Sequence, residues 1–159
     1  MRASNLVLLG GALAGPAVAG TITVTIPAQK VAEYHRPYVA IWLEPVGGGT
    51  ARTIALWYET RKTGMDAGTK YLADLRAWWR KGGRSMTMPV DGVSGATRAP
   101  GQYTVALPAN IKPGHYVLNV EAARETGGRE LITLPLSVPN PHAKGSGKTE
   151  LGAVTISAR

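Results

Sequence analysis

Short runs of alternating polar and apolar residues make up most of the sequence beyond residue 20, and this pattern restricts the fold more than any other feature. Successive side chains of a strand point to opposite faces of a sheet, so a period of two predicts strands with one buried face. Proline and glycine clusters separate the runs, as turns would. The predicted strands are Thr21–Ile26, Pro37–Glu44, Arg52–Glu59, Ser85–Val90, Gln102–Leu107, Gly114–Ala123, Arg129–Val138 and Leu151–Ser157.

One segment, Thr69–Lys81, has a helical period instead. Leu72, Leu75 and Trp79 have the spacing of one helical face. Its first residue, Thr69, is a suitable N-cap, and Gly82 with the glycine after it is a suitable stop. We therefore predict one helix here, with its tryptophans in the core rather than on a binding surface.

Seven or eight short strands and one helix predict a mainly all-β domain. In the second predicted strand, Val39, Ile41 and Leu43 lie on one face and Ala40 and Trp42 on the other. The expected architecture is a two-sheet, immunoglobulin-like β-sandwich with the helix in a crossover connection. A β-barrel is the alternative fold.

The first 19 residues have the three parts of a secretory signal peptide. Arg2 supplies a positive start, Leu6–Leu13 is a short apolar run, and Ala17–Ala19 is a cleavage site of small residues. We predict cleavage after Ala19, a periplasmic location, and a single domain over residues 20–159. A retained N-terminal anchor is the alternative, and no later apolar run is long enough to span a membrane.

The composition and the spacing of polar residues exclude several kinds of functional site. The chain has no cysteine, which excludes disulfides, thiolate catalysis and cysteine zinc sites. His35, His115 and His142 share no metal-ligand spacing, and no carboxylates form a pair suited to acid–base catalysis. The net charge of +8 is spread along the chain, and export argues against nucleic acid as a partner. We therefore identify no catalytic residue and no metal site.

The segment Asp91–Thr97 has the sequence Asp-Gly-Val-Ser-Gly-Ala-Thr. It resembles the signal Asp-x-x-Ser/Thr-Gly-Ala-Thr/Ser that bacterial FAD:protein FMN transferases recognise, and every fixed position of that signal is present. The resemblance implies that the Thr97 hydroxyl takes FMN through a phosphoester bond. It also implies that a transferase of this kind is a partner of the chain. Known carriers of the signal include subunits of sodium-pumping quinone reductases.

The residue types of this segment suit such a modification. Asp91 and the glycine after it favour a tight turn, while Gly95 and Ala96 add little bulk beside the Thr97 hydroxyl. Arg98 is placed to offset the charge of a phosphate. The alternative is an ordinary hairpin loop, because Asp-Gly and Ser-Gly are common turn pairs. The predicted cofactor-binding residues are Asp91, Ser94, Gly95, Ala96, Thr97 and Arg98.

The chain as a whole resembles domain-of-unknown-function family 2271, a family of small periplasmic proteins. Members of that family are often encoded beside PepSY-type membrane reductases and flavin transferases, which implies electron transfer outside the cytoplasm. Only the Asp91–Thr97 signal transfers roles to particular residues. The resemblance rests on Trp57–Glu59, Trp78–Gly82, Asp91–Pro100, Gly114–Tyr116, Glu121–Glu125 and Glu150–Gly152.

Two functions are consistent with the sequence. The first is an exported flavoprotein that carries electrons from a PepSY-type membrane reductase or another extracytosolic redox protein, and that is a substrate of the transferase rather than a catalyst. The second is a cofactor-free β-sandwich that binds or adheres to a partner. Under the first hypothesis, the candidates to contact the flavin ring are Trp57, Tyr58, Trp78, Trp79, Lys81, Arg84 and Arg98.

Overall fold

The structure is a computed structural model that describes residues 18–159. The apolar run Leu6–Leu13 of the predicted signal peptide lies outside the described residues, whereas Val18 and Ala19 are the first residues of a strand. The strands of residues 18–159 are β1 (Val18–Ile26), β2 (Tyr38–Pro45), β3 (Arg52–Tyr58), β4 (Ser94–Ala96), β5 (Gly101–Pro108), β6 (Gly114–Ala123), β7 (Arg129–Val138), β8 (Ala143–Ser146) and β9 (Ala153–Ala158).

These strands form two sheets. The first sheet has the order β5-β1-β9-β8, and all of its pairs are antiparallel. The second has the order β4-β3-β2-β6-β7, and within it β3 and β4 form a parallel pair. The predicted two-sheet β-sandwich is confirmed, and the alternative of a barrel is wrong because the strands divide into two open sheets.

The main core lies between the two sheets. Ile22 of β1 and Ile156 of β9 come from the first sheet, and Ile41 of β2 and Val120 of β6 come from the second. All four are at most 2% exposed. Burying an aliphatic side chain of this size stabilises the fold by about 1.5–3 kcal/mol, so the period-two positions of the sequence supply the driving force for stacking the sheets.

A second, smaller core covers the outer face of the second sheet. β2 is buried on both faces, because Ile41 faces the main core and Trp42 faces this smaller one. The prediction that Ala40 and Trp42 oppose Val39, Ile41 and Leu43 is confirmed. The buried members of the smaller core are Ala40, Trp42, Leu56, Tyr58, Leu72, Leu75 and Trp78.

The chain between β3 and β4 is a helical crossover, as predicted, but the continuous helix over Thr69–Lys81 is wrong. The crossover contains a 3₁₀ segment, Gly68–Asp74, followed by helix α1 (Arg76–Arg80), and two further 3₁₀ turns flank them at Gly64–Asp66 and Gly83–Ser85. Leu75 separates the Gly68–Asp74 segment from α1 with a ψ of 73°. The predicted N-cap, Thr69, lies inside the 3₁₀ segment, whereas the predicted stop is confirmed by Gly82, whose φ is +133°.

The buried residue of α1 is Trp78, and the predicted Trp79 is only half-buried. Positions 72, 75 and 78 are spaced by three, which matches the three-residue turn of a 3₁₀ helix.

Side chains from the second sheet fix the short helix α1 in place. The Glu121 carboxylate accepts the backbone N–H groups of Ala77 and Trp78, and the Trp78 indole N–H donates to Thr53 Oγ1 at 2.9 Å.

Three other local predictions differ from the structure. The predicted strand Ser85–Val90 is wrong, although Met86 and Met88 are half-buried in alternation, because the segment pairs with no strand in residues 18–159. The predicted loops Asp91–Gly101 and Pro139–Lys148 contain β4 and β8. Both strands are short and rich in Gly, Ala and Ser, residue types that give little strand signal.

Candidate functional site

The segment Asp91–Thr97 lies at the edge of the second sheet. Asp91 and Gly92 are exposed in a turn, and the φ of +72° at Gly92 is one that glycine adopts readily. The backbone N–H groups of Val93 and Ser94 both bond to the Val90 carbonyl, which closes the turn. β4 then begins beside β3 and pairs with it in parallel, so the segment does not close a hairpin.

Ser94 stabilises the turn through its side chain. Its hydroxyl oxygen accepts the Val90 N–H at 2.9 Å and lies 3.3 Å from the Met88 sulfur. Both interactions are local to the segment that precedes β4. The Ser94 hydroxyl therefore stabilises the turn from which β4 begins.

Gly95 lies over the indole of Trp57, its partner in the β3–β4 register. A Cβ atom built on Gly95 would lie 3.4 Å from Trp57 Cδ1 and 3.6 Å from Arg98 Nη2, which is ordinary van der Waals contact. The fold therefore has room for a methyl group at this position. Ala96, the next residue, is exposed.

Thr97 follows β4 at the point where the chain leaves the second sheet for β5 of the first. Its backbone N–H donates to the Tyr58 carbonyl at 3.2 Å, and the Val93 carbonyl accepts the Leu56 N–H at 2.9 Å. The segment is thus bonded to β3 at both ends. Thr97 itself is half-buried and lines a cleft.

Arg98 points away from that cleft. Its guanidinium carbon lies 5.3 Å from the centre of the Trp57 ring and 5.8 Å from that of Tyr103. The two rings meet edge to face at 5.8 Å, and the Tyr103 hydroxyl donates to the Ala99 carbonyl at 2.7 Å. Cation–π attraction holds the Arg98 side chain over these rings, on the surface that borders Gly95.

The cleft beside Thr97, which we call the Thr97 cleft, has a volume of about 390 Å³. That volume falls within the usual range for small-molecule sites. Its walls combine three tyrosines with both basic and acidic side chains. The residues that line it with Thr97 are Tyr34, His35, Arg36, Tyr38, Glu59, Lys62, Asp66, Gly68, Tyr71 and Glu125.

A larger cleft of about 590 Å³ borders the first, and we call it the Arg124 cleft. The two clefts have four lining residues in common: Arg36, Tyr38, Tyr71 and Glu125. These four form a shared wall. Further arginines belong to the Arg124 cleft alone, and they make it the more basic of the two; they are Arg76, Arg124 and Arg129.

Arg124, which lines this cleft, forms a buried ion pair with Glu150. The side chains of Arg124 and Glu150 are 6% and 5% exposed, and they are joined by hydrogen bonds of 2.9 and 3.1 Å. Hydrogen bonding to Glu150 raises the pKa of Arg124. Among residues 18–159, the buried atoms Arg124 Nη1 and Tyr34 Oη have no hydrogen-bond partner. Burial raises the pKa of the Tyr34 hydroxyl.

A family model described as a predicted periplasmic protein, DUF2271, matches residues 19–153. The chain belongs to the DUF2271 family. No curated protein and no solved structure matches it. The match spans the chain from Ala19 in β1 through β8, with the crossover, the Asp91–Thr97 segment and the lining of both clefts, and it ends at the first residue of β9.

In this DUF2271 protein, the aromatic residues that were expected to contact a flavin do not line either cleft. Trp57, Tyr58 and Trp78 are each at most 4% exposed, and neither cleft includes them or Trp79. The basic candidates Lys81, Arg84 and Arg98 also lie outside both clefts, and Lys81 pairs with Glu44 at 3.2 Å. These seven residues therefore line neither cleft.

The side chains that do border Thr97 were not singled out from the sequence. Tyr34 and Arg36 lie in an irregular segment before β2, and Tyr71 flanks the apolar stripe of the crossover. An exposed tyrosine within an otherwise amphipathic helical segment is the one sequence signal that indicates Tyr71. The others are brought to Thr97 by tertiary structure alone.

Two further properties concern the described part of the chain. None of the helices of residues 18–159 has the length and apolar composition needed to cross a membrane. Within the same residues, no group of three or more His, Cys, Asp or Glu side chains is arranged to hold a metal ion.

Proposed function

We propose that this DUF2271 protein is a periplasmic electron carrier with FMN attached to Thr97. The observation that carries the proposal is the position of Thr97. It is the last residue of a complete transferase signal, it is bonded to the edge of a rigid sheet, and it borders a cleft of ligand size.

The attachment reaction needs a reachable hydroxyl on this chain and an enzyme that supplies FAD. The Thr97 oxygen attacks the phosphorus of the FMN half of FAD, the bond between the two phosphates breaks, and AMP leaves. The hydroxyl proton passes to a base of the transferase, which also supplies Mg²⁺. Asp91, Gly92 and Ala96 are exposed, so the transferase can approach the segment from solvent.

Gly95 supports recognition of the segment by another protein. The fold accommodates a Cβ atom at this position in ordinary contact, so packing within the chain does not require glycine. A glycine that the fold does not need is consistent with close approach of a foreign backbone. The bonds from Val93 and Thr97 to β3 then present the signal in a fixed conformation.

The two clefts are suited to a flavin. Tyrosines line their shared wall, Arg36 offers positive charge there, and the unpartnered Nη1 of Arg124 is a buried donor beside the second cleft. Bound FMN would supply the electron-transfer chemistry, since the chain has no cysteine thiol for redox chemistry. The contribution of the protein is to hold the group, orient it and exclude water from one face.

Covalent attachment suits a carrier that works outside the cytoplasm. A tether keeps the cofactor at millimolar effective concentration beside its site, whereas a dissociable flavin would diffuse away. A PepSY-type membrane reductase, or another extracytosolic redox protein, is the proposed electron donor. Cleavage of the signal peptide after Ala19 is part of the same proposal, since attachment and electron transfer both take place after export.

The proposal is tested by intact-mass measurement of the protein co-expressed with an FAD:protein FMN transferase and exported to the periplasm. We expect the wild type and Thr97→Ser to gain the mass of FMN less one water, because the signal accepts either hydroxyl. Thr97→Ala should gain nothing. Thr87→Ala, which removes an exposed threonine outside the signal, should be modified like the wild type.

An unmodified wild type would overturn the proposal, provided that a control substrate with the same signal is modified in the same cells. It would favour the cofactor-free binding module instead. Modification that persists in Thr97→Ala would place the flavin elsewhere. Circular dichroism of each variant checks that the sandwich is intact.

A further inference from the structure

We propose that the ring of Tyr71, with Arg36 beside it, is the docking surface for the isoalloxazine ring of the flavin tethered at Thr97. This inference rests on the proposed function and adds the contact surface of the cofactor. It differs from the expectation that a tryptophan stacks on the flavin.

The location of Tyr71 is the first argument. Tyr71 and Arg36 lie on the wall shared by the Thr97 cleft and the Arg124 cleft, and Thr97 lines the first of these. A group tethered at Thr97 that enters the nearest cleft therefore meets this wall. The two clefts together have the volume that a flavin ring system and its ribityl chain need.

The exposure of Tyr71 is the second argument. Its side chain is 43% exposed, and its hydroxyl makes only a long contact of 3.4 Å with Asp66 Oδ1. By contrast, Tyr38 on the same wall is fixed, since its hydroxyl donates to the Gly68 carbonyl at 2.9 Å and its ring meets Tyr58 edge to face. Tyr38 thus backs the wall, while Tyr71 offers an aromatic ring to a ligand.

The charge beside Tyr71 is the third argument. Arg36 is exposed and forms no ion pair with any residue of the described range 18–159. Its guanidinium is therefore available to a ligand that carries negative charge, as a flavin ring does on reduction. Arg124 is in the opposite situation, because Glu150 already holds two of its nitrogens.

The competing aromatic surface near the segment is already covered. Trp57 is 4% exposed, and the guanidinium of Arg98 lies over its ring at 5.3 Å. A flavin could stack there only after displacing Arg98. Tyr71 also has a cation near its ring, since Lys70 Nζ lies 5.8 Å from the ring centre, but Lys70 is exposed and Tyr71 is 43% exposed. Part of the aromatic surface at Tyr71 is therefore open to a ligand, which is not so at Trp57.

Fluorescence of the modified protein tests the docking surface. Tyrosine and tryptophan quench flavin emission when they stack on the ring, so we compare emission of the intact protein with emission after complete proteolysis. Digestion should raise emission of the wild type roughly threefold or more, since it leaves the same Thr97–flavin bond without the stacking surface. In Tyr71→Ala the emission before digestion should already be high.

Two variants serve as controls for that measurement. Tyr71→Trp should restore the quenching, because it returns an aromatic donor to the same position. Tyr116→Ala should leave the quenching unchanged, since the β2–β6 register places Tyr116 opposite Pro45, at the other end of β2 from Tyr38. Unquenched wild-type emission, or equal emission of the wild type and Tyr71→Ala, would overturn the inference.

The reduction midpoint potential tests the role of Arg36. Arg36→Gln should shift the potential of the bound flavin to a more negative value, because it removes positive charge beside the reduced ring. Arg84→Gln, an arginine that lines neither cleft, should leave the potential unchanged. Equal shifts in the two variants would show a general effect of net charge and would contradict the assignment of Arg36.

Intact mass separates the two proposals. Absence of the FMN adduct in the wild type overturns the proposed function and this inference with it. A complete adduct with emission that does not depend on Tyr71 overturns the docking surface alone. A complete adduct whose emission follows Tyr71 supports both.

Discussion

The backbone N–H of Thr97 donates to the carbonyl of Tyr58, the last residue of β3, at 3.2 Å. This bond belongs to the Tyr58–Ala96 pair, the last pair of the parallel β3–β4 register. Thr97 is consequently held on the sheet edge instead of at the tip of a free loop. Under the proposed function, the Thr97 hydroxyl is thus presented to the transferase from a fixed backbone, which lowers the entropy lost on binding.

Gly95→Ala should separate recognition from folding. The added methyl group meets Trp57 and Arg98 in ordinary contact, so the free energy of unfolding should change by no more than about 0.5 kcal/mol. If the transferase needs close approach here, the fraction of FMN-modified protein should fall strongly. Urea unfolding and intact mass measure the two effects. Full modification of Gly95→Ala would show that the glycine is not needed for recognition.

Glu121→Gln should strongly destabilise the protein. Glu121 is completely buried, and its carboxylate accepts from Ala77 N–H, Trp78 N–H and the Arg129 guanidinium. Replacing it leaves Arg129 without its charged partner and weakens the hold on α1, at a cost of about 2–4 kcal/mol. Lys81→Met is the control, because it breaks a partly exposed ion pair with Glu44. Its free energy of unfolding, measured with urea, should fall by less than about 1 kcal/mol.

The buried pair of Arg124 and Glu150 should behave as a coupled unit. Arg124→Met leaves a buried carboxylate, and Glu150→Gln leaves a buried guanidinium, so each should cost about 3–5 kcal/mol. The double variant should be less destabilised than the sum of the two losses. A double-mutant cycle from urea unfolding measures the coupling, and additive losses would contradict it.

Glu130 should make stability depend on pH. Burial alone would raise its pKa, but backbone N–H donors of Lys148, Leu151, Thr149 and Glu150 outweigh that effect, and the pKa lies below its ordinary value of 4.5. The carboxylate therefore stabilises the fold above the pKa of the unfolded chain. This stabilisation is lost as the pH falls from that value through the lower native one.

The matching experiment compares unfolding of the wild type and Glu130→Gln between neutral pH and pH values below the native pKa. The free energy of unfolding of the wild type should exceed that of Glu130→Gln by about 1–3 kcal/mol at neutral pH. This difference should shrink as the pH falls. Glu33→Gln, at a side chain that is 71% exposed, should follow the wild type throughout. If the wild type and Glu130→Gln differed in free energy of unfolding by the same amount at every pH, the lowered pKa of Glu130 would not be the cause of the pH dependence.

The strands with strong alternation were predictable from the sequence. β6 and β7 have the predicted bounds, and β2 was correctly divided into two faces. These predictions are correct because burial of every second side chain dominates the energetics of the strands. The crossover failed in detail because Leu72, Leu75 and Trp78 repeat every three residues, and a mixed 3₁₀ and α segment can bury that repeat as well as a regular helix does.

The candidate site was predictable only as a contiguous segment. The turn at Asp91 and Gly92 follows from local residue preferences, and the structure confirms it. The clefts depend on contacts between residues distant in the chain. One such contact is that of Arg124 with Tyr34, whose ring centre lies 5.7 Å from the guanidinium carbon. The covering of Trp57 by Arg98 likewise depends on the approach of β5, which no local pattern specifies.

The helical crossover lies on the face of the second sheet that the sandwich itself leaves open, and it contributes Asp66, Gly68 and Tyr71 to the border of the Thr97 cleft. Insertions or exchanges in this layer would remodel the surroundings of Thr97 while every strand kept its register. If Thr97 carries the cofactor as we propose, this arrangement would let related proteins change the environment of the flavin without changing the framework that holds its attachment point.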